Sequence, residues 1–319
     1  MAACCSPTFL FVLIRAVHYI ACLLLLAVWA FDRLVLPAVA APAPQSLRRR
    51  WQVLEGRWTL VLLPLIAISG VAWFMQLCVN MSGLSLADAM HADTIRAVWS
   101  QTKFGRVWQV RSILWLSWAY LPPYIWGMPR IFRSICAWIN VILAGALVSS
   151  LAWAGHGQDG GSWHLLADAI HLFIAGLWPM GLAPFALLLF QLRKLPQPQW
   201  RASVAALTFR FSAMSLISVG LLAITGVING LYMIHSFADL IGLSYGRLLI
   251  FKFALFLVML SLGALNLIRL KPRLLALESD AVAGRAAATL QRSVAGELSL
   301  GLIVVIATAA LGLLAPSGS

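Results

Sequence analysis

The residues of this sequence most able to do chemistry are the few ionisable side chains set inside long apolar runs. His164, Asp168 and His171 fall at i, i+4 and i+7, and at about 3.6 residues per turn that spacing puts all three on one helix face. Arg15, His18 and Cys22 fall at i, i+3 and i+7 of another apolar run. Imidazole suits copper, zinc and nickel, and thioether or thiolate groups shift the preference toward Cu(I). His156 precedes His164 in the loop Gly155-His156-Gly157-Gln158, and Cys4, Cys5, Met75, Cys78, Met81, Met90, His91, Met180, Met233 and His235 add donors near one end of the apolar runs. A carboxylate beside a ligating histidine, as Asp168 stands to His164 and His171, orients the ring by accepting its second N–H. The competing reading makes Asp168 the partner of Arg15 in a buried ion pair, with the methionines and Cys22, Cys78 and Cys136 as packing.

The elements that position these residues follow from composition. The chain has 319 residues, 62% of them hydrophobic and 10% charged, at a mean hydropathy of +0.91. Runs such as Leu60 to Val79 and Leu298 to Leu314 are too long for barrel strands, and in hydrocarbon the backbone must satisfy itself, so they are helices. The sequence predicts an all-α polytopic membrane bundle of about eight transmembrane helices, near 8–36, 57–79, 108–127, 132–155, 163–192, 205–235, 246–270 and 293–315. The net charge of +13 reflects topology rather than nucleic acid. Most of the 23 Lys and Arg fall in the odd-numbered connections, among them Arg48 to Arg50, Arg193, Lys194, Arg269 and Lys271. The positive-inside rule therefore places both termini and the His156 loop outside the cytoplasm. The N-terminal run carries Arg15 and His18 and lacks a basic leader, so it reads as the first membrane helix rather than a cleaved signal.

Two stretches repeat each other in order. Ala16-Val17-His18 answers Ala169-Ile170-His171, Ser69-Gly70-Val71 answers Thr225-Gly226-Val227, and Phe104-Gly105-Arg106 with Arg111 answers Tyr245-Gly246-Arg247 with Lys252. This pattern predicts two tandem four-helix repeats, 1–155 and 156–319, with His18 and His171 as half-sites facing each other across the join. No nucleotide-binding or hydrolase motif is present, and the chain is expected not to be an enzyme.

The second half, through Gly155-His156, Asp168, His171, Trp178, Arg210-Phe211-Ser212, Thr225 to Asn229, Tyr245-Gly246-Arg247, Asn266 and Glu297, resembles the copper resistance protein D family (CopD). The first half is similar to that family's more variable N-terminal portion through His18, the basic loop from Arg50 to Arg57, and Phe104-Gly105-Arg106. Pro179 and Met180 after Trp178 depart from the family pattern, and the proline is expected to kink the fifth helix below His171. The resemblance implies a bacterial inner-membrane protein that moves copper from periplasm toward cytoplasm, beside a periplasmic CopC-type copper protein. It carries His156, Asp168 and His171 as metal-site residues, with His18, and His164 joins them by its shared face. Copper, as Cu(I), is the expected ion, and homo-oligomerisation is left open. Two alternatives stand: a non-transporting copper receptor or assembly factor, and a b-type haem carrier using paired histidines.

Overall fold

The computed structural model describes residues 7–37, 45–120, 130–155, 160–192, 199–275 and 280–316. Every regular element among the described residues is helical. In chain order these are α1 (Pro7–Leu34), α2 (Gln45–Ser82), the short α3 (Leu86–Ala89) and α4 (Ala92–Gln101), α5 (Lys103–Tyr120) and α6 (Arg130–Ser149), which tightens into a 3₁₀ segment, Ser150–Ala154. Then follow α7 (Gly161–Leu177), α8 (Leu182–Leu192), α9 (Gln199–Met233), the short α10 (Phe237–Gly242), and α11 (Ser244–Leu265) with its π turn, Asn266–Leu270. The chain closes with α12 (Lys271–Leu275) and α13 (Asp280–Leu311).

Among the described residues, seven helices are long and apolar enough to cross a bilayer. All but one of the predicted runs find their place among them. The exception is 108–127: α5 begins earlier and carries Lys103, Arg106 and Arg111, which lower its apolar content; the end of that predicted run, 121–127, lies outside the described residues. The predicted fifth helix is two helices in one span. Its hydrogen-bond ladder breaks at Trp178–Gly181, where the Met180 amide reaches back to the Ala175 carbonyl (3.2 Å) and Leu182 restarts the ladder on Trp178 (3.2 Å). Pro179 has no N–H to give at this point, so the expected kink is a full interruption.

The middle of α1 is fully enclosed, with Ala21, Leu25, Leu26 and Ala27 at 1% exposure or less. It packs against α2, α6, α7 and α13. Small residues let the central helices approach: Leu26 fills the space beside Gly176 on α7, and Phe173 that beside Gly145 on α6, as expected where association in lipid rests on close van der Waals fit. Leu60, Ile68, Ile217, Ile224 and Leu231 point outward and are exposed, the lipid-facing complement of that core.

The short helices between the long ones are built alike. Ser85 caps α3 by accepting the Asp88 amide (3.3 Å), and Ser236 caps α10 by accepting the Asp239 amide (3.1 Å). Gly105 and Gly246, early in the helices that follow, sit so close to the carbonyls of the preceding short helix that a Cβ would collide with them.

Candidate functional site

The two halves hold their intramembrane histidines in the same way up to one bond. In the first half, the Nδ1 of His18 lies 3.0 Å from Ser69 Oγ, and that hydroxyl donates to the Leu65 carbonyl (2.5 Å). In the second, the Nδ1 of His171 lies 2.9 Å from Thr225 Oγ1, which donates to the Leu221 carbonyl (2.7 Å). With the hydroxyl proton committed to the helix, the network assigns the N–H to Nδ1 in both rings and leaves Nε2 as an acceptor. Gly70 and Gly226, next to these hydroxyls, admit the rings: a Cβ on either would stand 3.3 or 3.4 Å from the histidine Cε1.

The difference is at Nε2. In the first half Arg111 of α5 reaches it at 2.6 Å and also bonds the Leu147 carbonyl (2.9 Å) and Ser150 Oγ (2.6 Å). The Cys22 thiol closes the cluster, 3.7 Å from His18 Nε2 and 3.8 Å from Arg111. His18, Cys22 and Arg111 are all at 5% exposure or less, and Trp73 and Trp108 meet the His18 ring edge-on. Both ring nitrogens of His18 are therefore engaged. In the second half the counterpart of Arg111 is Lys252, and His171 Nε2 has no hydrogen-bond partner among the described residues. The ring lines a chamber of about 420 Å³.

That chamber is the chemical centre of the second half. His164, Asp168, Asn229, Tyr245 and Lys252 join His171 in its wall, and the rest is mostly apolar. Asn229 donates to Asp168 Oδ1 at 3.0 Å, and His164 stacks on Tyr232 with centroids 4.7 Å apart. Asp168 and its first-half counterpart, Arg15, have diverged in sign. Arg15 is not the partner of Asp168: it donates to the Gly312 carbonyl (2.6 Å) and lies over the Trp73 ring at 4.8 Å. Asp32 pairs with Arg33.

His156, Cys4 and Cys5 lie outside the described residues. The structure brings His164, Asp168 and His171 to one chamber, as their spacing requires, while His18 is drawn by Ser69 into its own half. No group of three or more His, Cys, Asp or Glu side chains among the described residues is placed to hold a metal ion. Of the soft donors, Cys78 and Met180 are fully buried in packing, whereas Met75 and Met81 are exposed. Sequence reasoning noticed Arg111 and Lys252 as repeat markers and missed them as the residues that distinguish a closed histidine from an open one; the signal was the change from a forked guanidinium to a single ammonium at matched positions.

Two family models match along the chain: the copper resistance protein D-like N-terminal domain over residues 6–165 and copper resistance protein D over residues 205–311. The chain belongs to the copper resistance protein D family. Copper resistance protein D of Pseudomonas syringae pv. tomato is 29% identical over 277 residues, 84% of this chain and 87% of that protein. Copper transport protein CutJ of Bacillus subtilis (strain 168) is 28% identical over 219 residues, 63% of this chain and 38% of that longer protein. Inner membrane protein YebZ of Escherichia coli (strain K12) is 27% identical over 246 residues, 73% of this chain and 77% of that protein. No solved structure matches. The family matches take in Ser69 and Arg111 on one side and Thr225, Asn229 and Lys252 on the other, while Asp168 and His171 lie between them.

Proposed function

We propose that this chain is a multi-pass inner-membrane copper protein that moves copper, as Cu(I), from periplasm toward cytoplasm without ATP, and that the second-half chamber is where the ion is held. The observation that carries the reading is His171, whose Nε2 has no hydrogen-bond partner among the described residues and which lines a cavity together with the Asp168 carboxylate, in a chain whose relatives are named for copper resistance and copper transport. Neutral imidazole is a good ligand for copper, and Asp168 supplies local negative charge for a cation entering a medium of low dielectric. His156 would deliver the ion from its loop, His164 lines the chamber, and His18 plays a scaffold part. Both termini are periplasmic in this reading, a soluble CopC-type protein is the natural donor, and the chain is not an enzyme. The two four-helix units, 1–155 and 156–319, would have arisen by duplication, one kept as frame and the other as site.

Vesicles containing the purified protein and an internal Cu(I) chelator test the proposal. Cu(I) uptake above protein-free vesicles, lost in His171→Ala, is the expected result. Binding without uptake would instead favour the non-transporting receptor, a reading that the scarcity of soft donors on the inner halves of the helices also fits. The haem-carrier reading draws less support, since Arg111 occupies the His18 nitrogen an iron would need; a Soret band in protein made with ample haem would revive it.

The Thr225 hydroxyl sets the tautomer that leaves His171 Nε2 free. Thr225→Val is therefore expected to weaken copper binding about tenfold, the lower end of what outer-shell partners of metal-bound histidines contribute. Thr225→Ser, the residue type found at the matched position in the first half, restores it. Competition against a Cu(I) chelator measures both.

A further inference from the structure

Arg15 stands in the wall between two cavities. One is the second-half chamber. The other, about 400 Å³, lies on the first-half side and is lined by Trp73, Gln76, Asn80 and Phe104. Arg15, Gly155 and Gly312 line both. By the charge pattern of the loops this is the outer end of the bundle, so the first-half cavity is a vestibule beside the chamber.

The guanidinium is fixed there. Its side chain is 5% exposed, one nitrogen is tied to the Gly312 carbonyl, its plane is covered by Trp73, and its Nε has no hydrogen-bond partner. No carboxylate pairs with it among the described residues, and the matched position in the second half, Asp168, carries the opposite charge across the chamber. Gln76 adds a buried Oε1 without a partner to the vestibule wall. A guanidinium remains charged at any physiological pH, so a full positive charge sits in the partition with no carboxylate of the described residues paired to it.

We propose that Arg15 is a charge-selecting residue at the passage from vestibule to chamber. A fixed positive charge in a low-dielectric wall raises a barrier that grows in proportion to the charge of the approaching cation, so whatever factor it imposes on a monovalent ion is squared for a divalent one. Anions and neutral complexes are favoured outright. The inference rests on the copper reading only for the cargo: the protein would admit Cu(I), bare or with an anionic ligand, and hold back Zn(II) and Cu(II).

The test uses the full-length protein in vesicles with a reporter thiol in the chamber. Gly230 lines the chamber and has room for a side chain, its Cβ position being 3.9 Å from the closest atom, on Leu249. Gly230→Cys is treated from outside with an anionic and with a cationic methanethiosulfonate, each rate normalised to that with a free thiol and corrected for the parent protein without the reporter. With Arg15 present the anionic reagent should react on the order of tenfold faster. Arg15→Lys should keep most of this preference and Arg15→Gln should lose most of it. Equal rates with Arg15 in place, or a preference unchanged in Arg15→Gln, would overturn the proposal. The first of these outcomes needs no variant at Arg15, so poor folding of a variant leaves the test decisive. Uptake of Cu(I) and Zn(II) by the same vesicles separates the two readings: the expected labelling pattern without Cu(I) uptake in any protein would sink copper movement and leave the filter standing.

Discussion

If the chamber holds copper as proposed, loading the detergent-purified His171→Ala protein with Cu(I) should leave it with less than about a tenth of the copper held by the wild type, because loss of a direct ligand is a larger change than loss of a ligand's supporting partner. His18→Ala should load normally. The two histidines match in sequence and in their hydroxyl partners, so a difference between them reports their surroundings on the Nε2 side. In His18 that nitrogen is engaged by Arg111; in His171 it has no hydrogen-bond partner among the described residues, and the residue lines the chamber. Equal losses in both variants, read by metal analysis, would mean that Arg111 yields to the ion and that the first half binds copper too. Equal retention in both would remove the chamber as the site.

Arg111→Met should be the most destabilising single substitution in the first half, by about 1–3 kcal/mol for each buried acceptor left without its donor. The guanidinium hydrogen-bonds α5 both to His18 of α1 and to the last turn of α6, and its loss leaves His18 Nε2 with the Cys22 thiol alone and removes a donor from the Leu147 carbonyl. Methionine restores most of the volume but none of the donors, so the effect reports the hydrogen bonds rather than a cavity. Thermal unfolding in detergent, compared with Lys252→Met, measures it. Lys252 faces the open chamber, and its replacement should cost far less. A larger loss at Lys252 would show that the second half is also held by its buried cation.

Much of this arrangement was legible in the sequence. Hydropathy located the long helices because lipid leaves the backbone few alternatives, and the matched Ser69-Gly70 and Thr225-Gly226 pairs marked the repeat, though their part as partners of the histidines shows only in the structure. The i, i+4, i+7 spacing put His164, Asp168 and His171 on one chamber wall. What the sequence hid was long-range. Nothing near His18 reveals that its free nitrogen is taken by a residue 93 positions away, and Arg15 and Asp168, opposite in charge and close in depth, read as a pair until Gly312 and Trp73 are seen to hold Arg15. The interruption at Trp178–Gly181 was visible only as a proline. A periodic apolar pattern continues straight through it, and the backbone bonds that end one ladder and begin the next leave no trace in hydropathy.

The cation that closes the first half also bears on how the protein is made. An arginine at the centre of a helix costs about 2.5–3.5 kcal/mol to insert from the translocation machinery, and α5 carries Arg111 together with Lys103 and Arg106 at its start. Its own apolar residues make it a poor candidate to enter the bilayer alone. Its acceptors arrive at different times: His18 is already in place on α1, whereas the Leu147 carbonyl and Ser150 hydroxyl belong to a segment synthesised some forty residues later. Biosynthesis should therefore pause with α5 at the membrane surface until α6 emerges, so that the pair enters as a hairpin, and the bond that silences one histidine doubles as the latch that completes assembly.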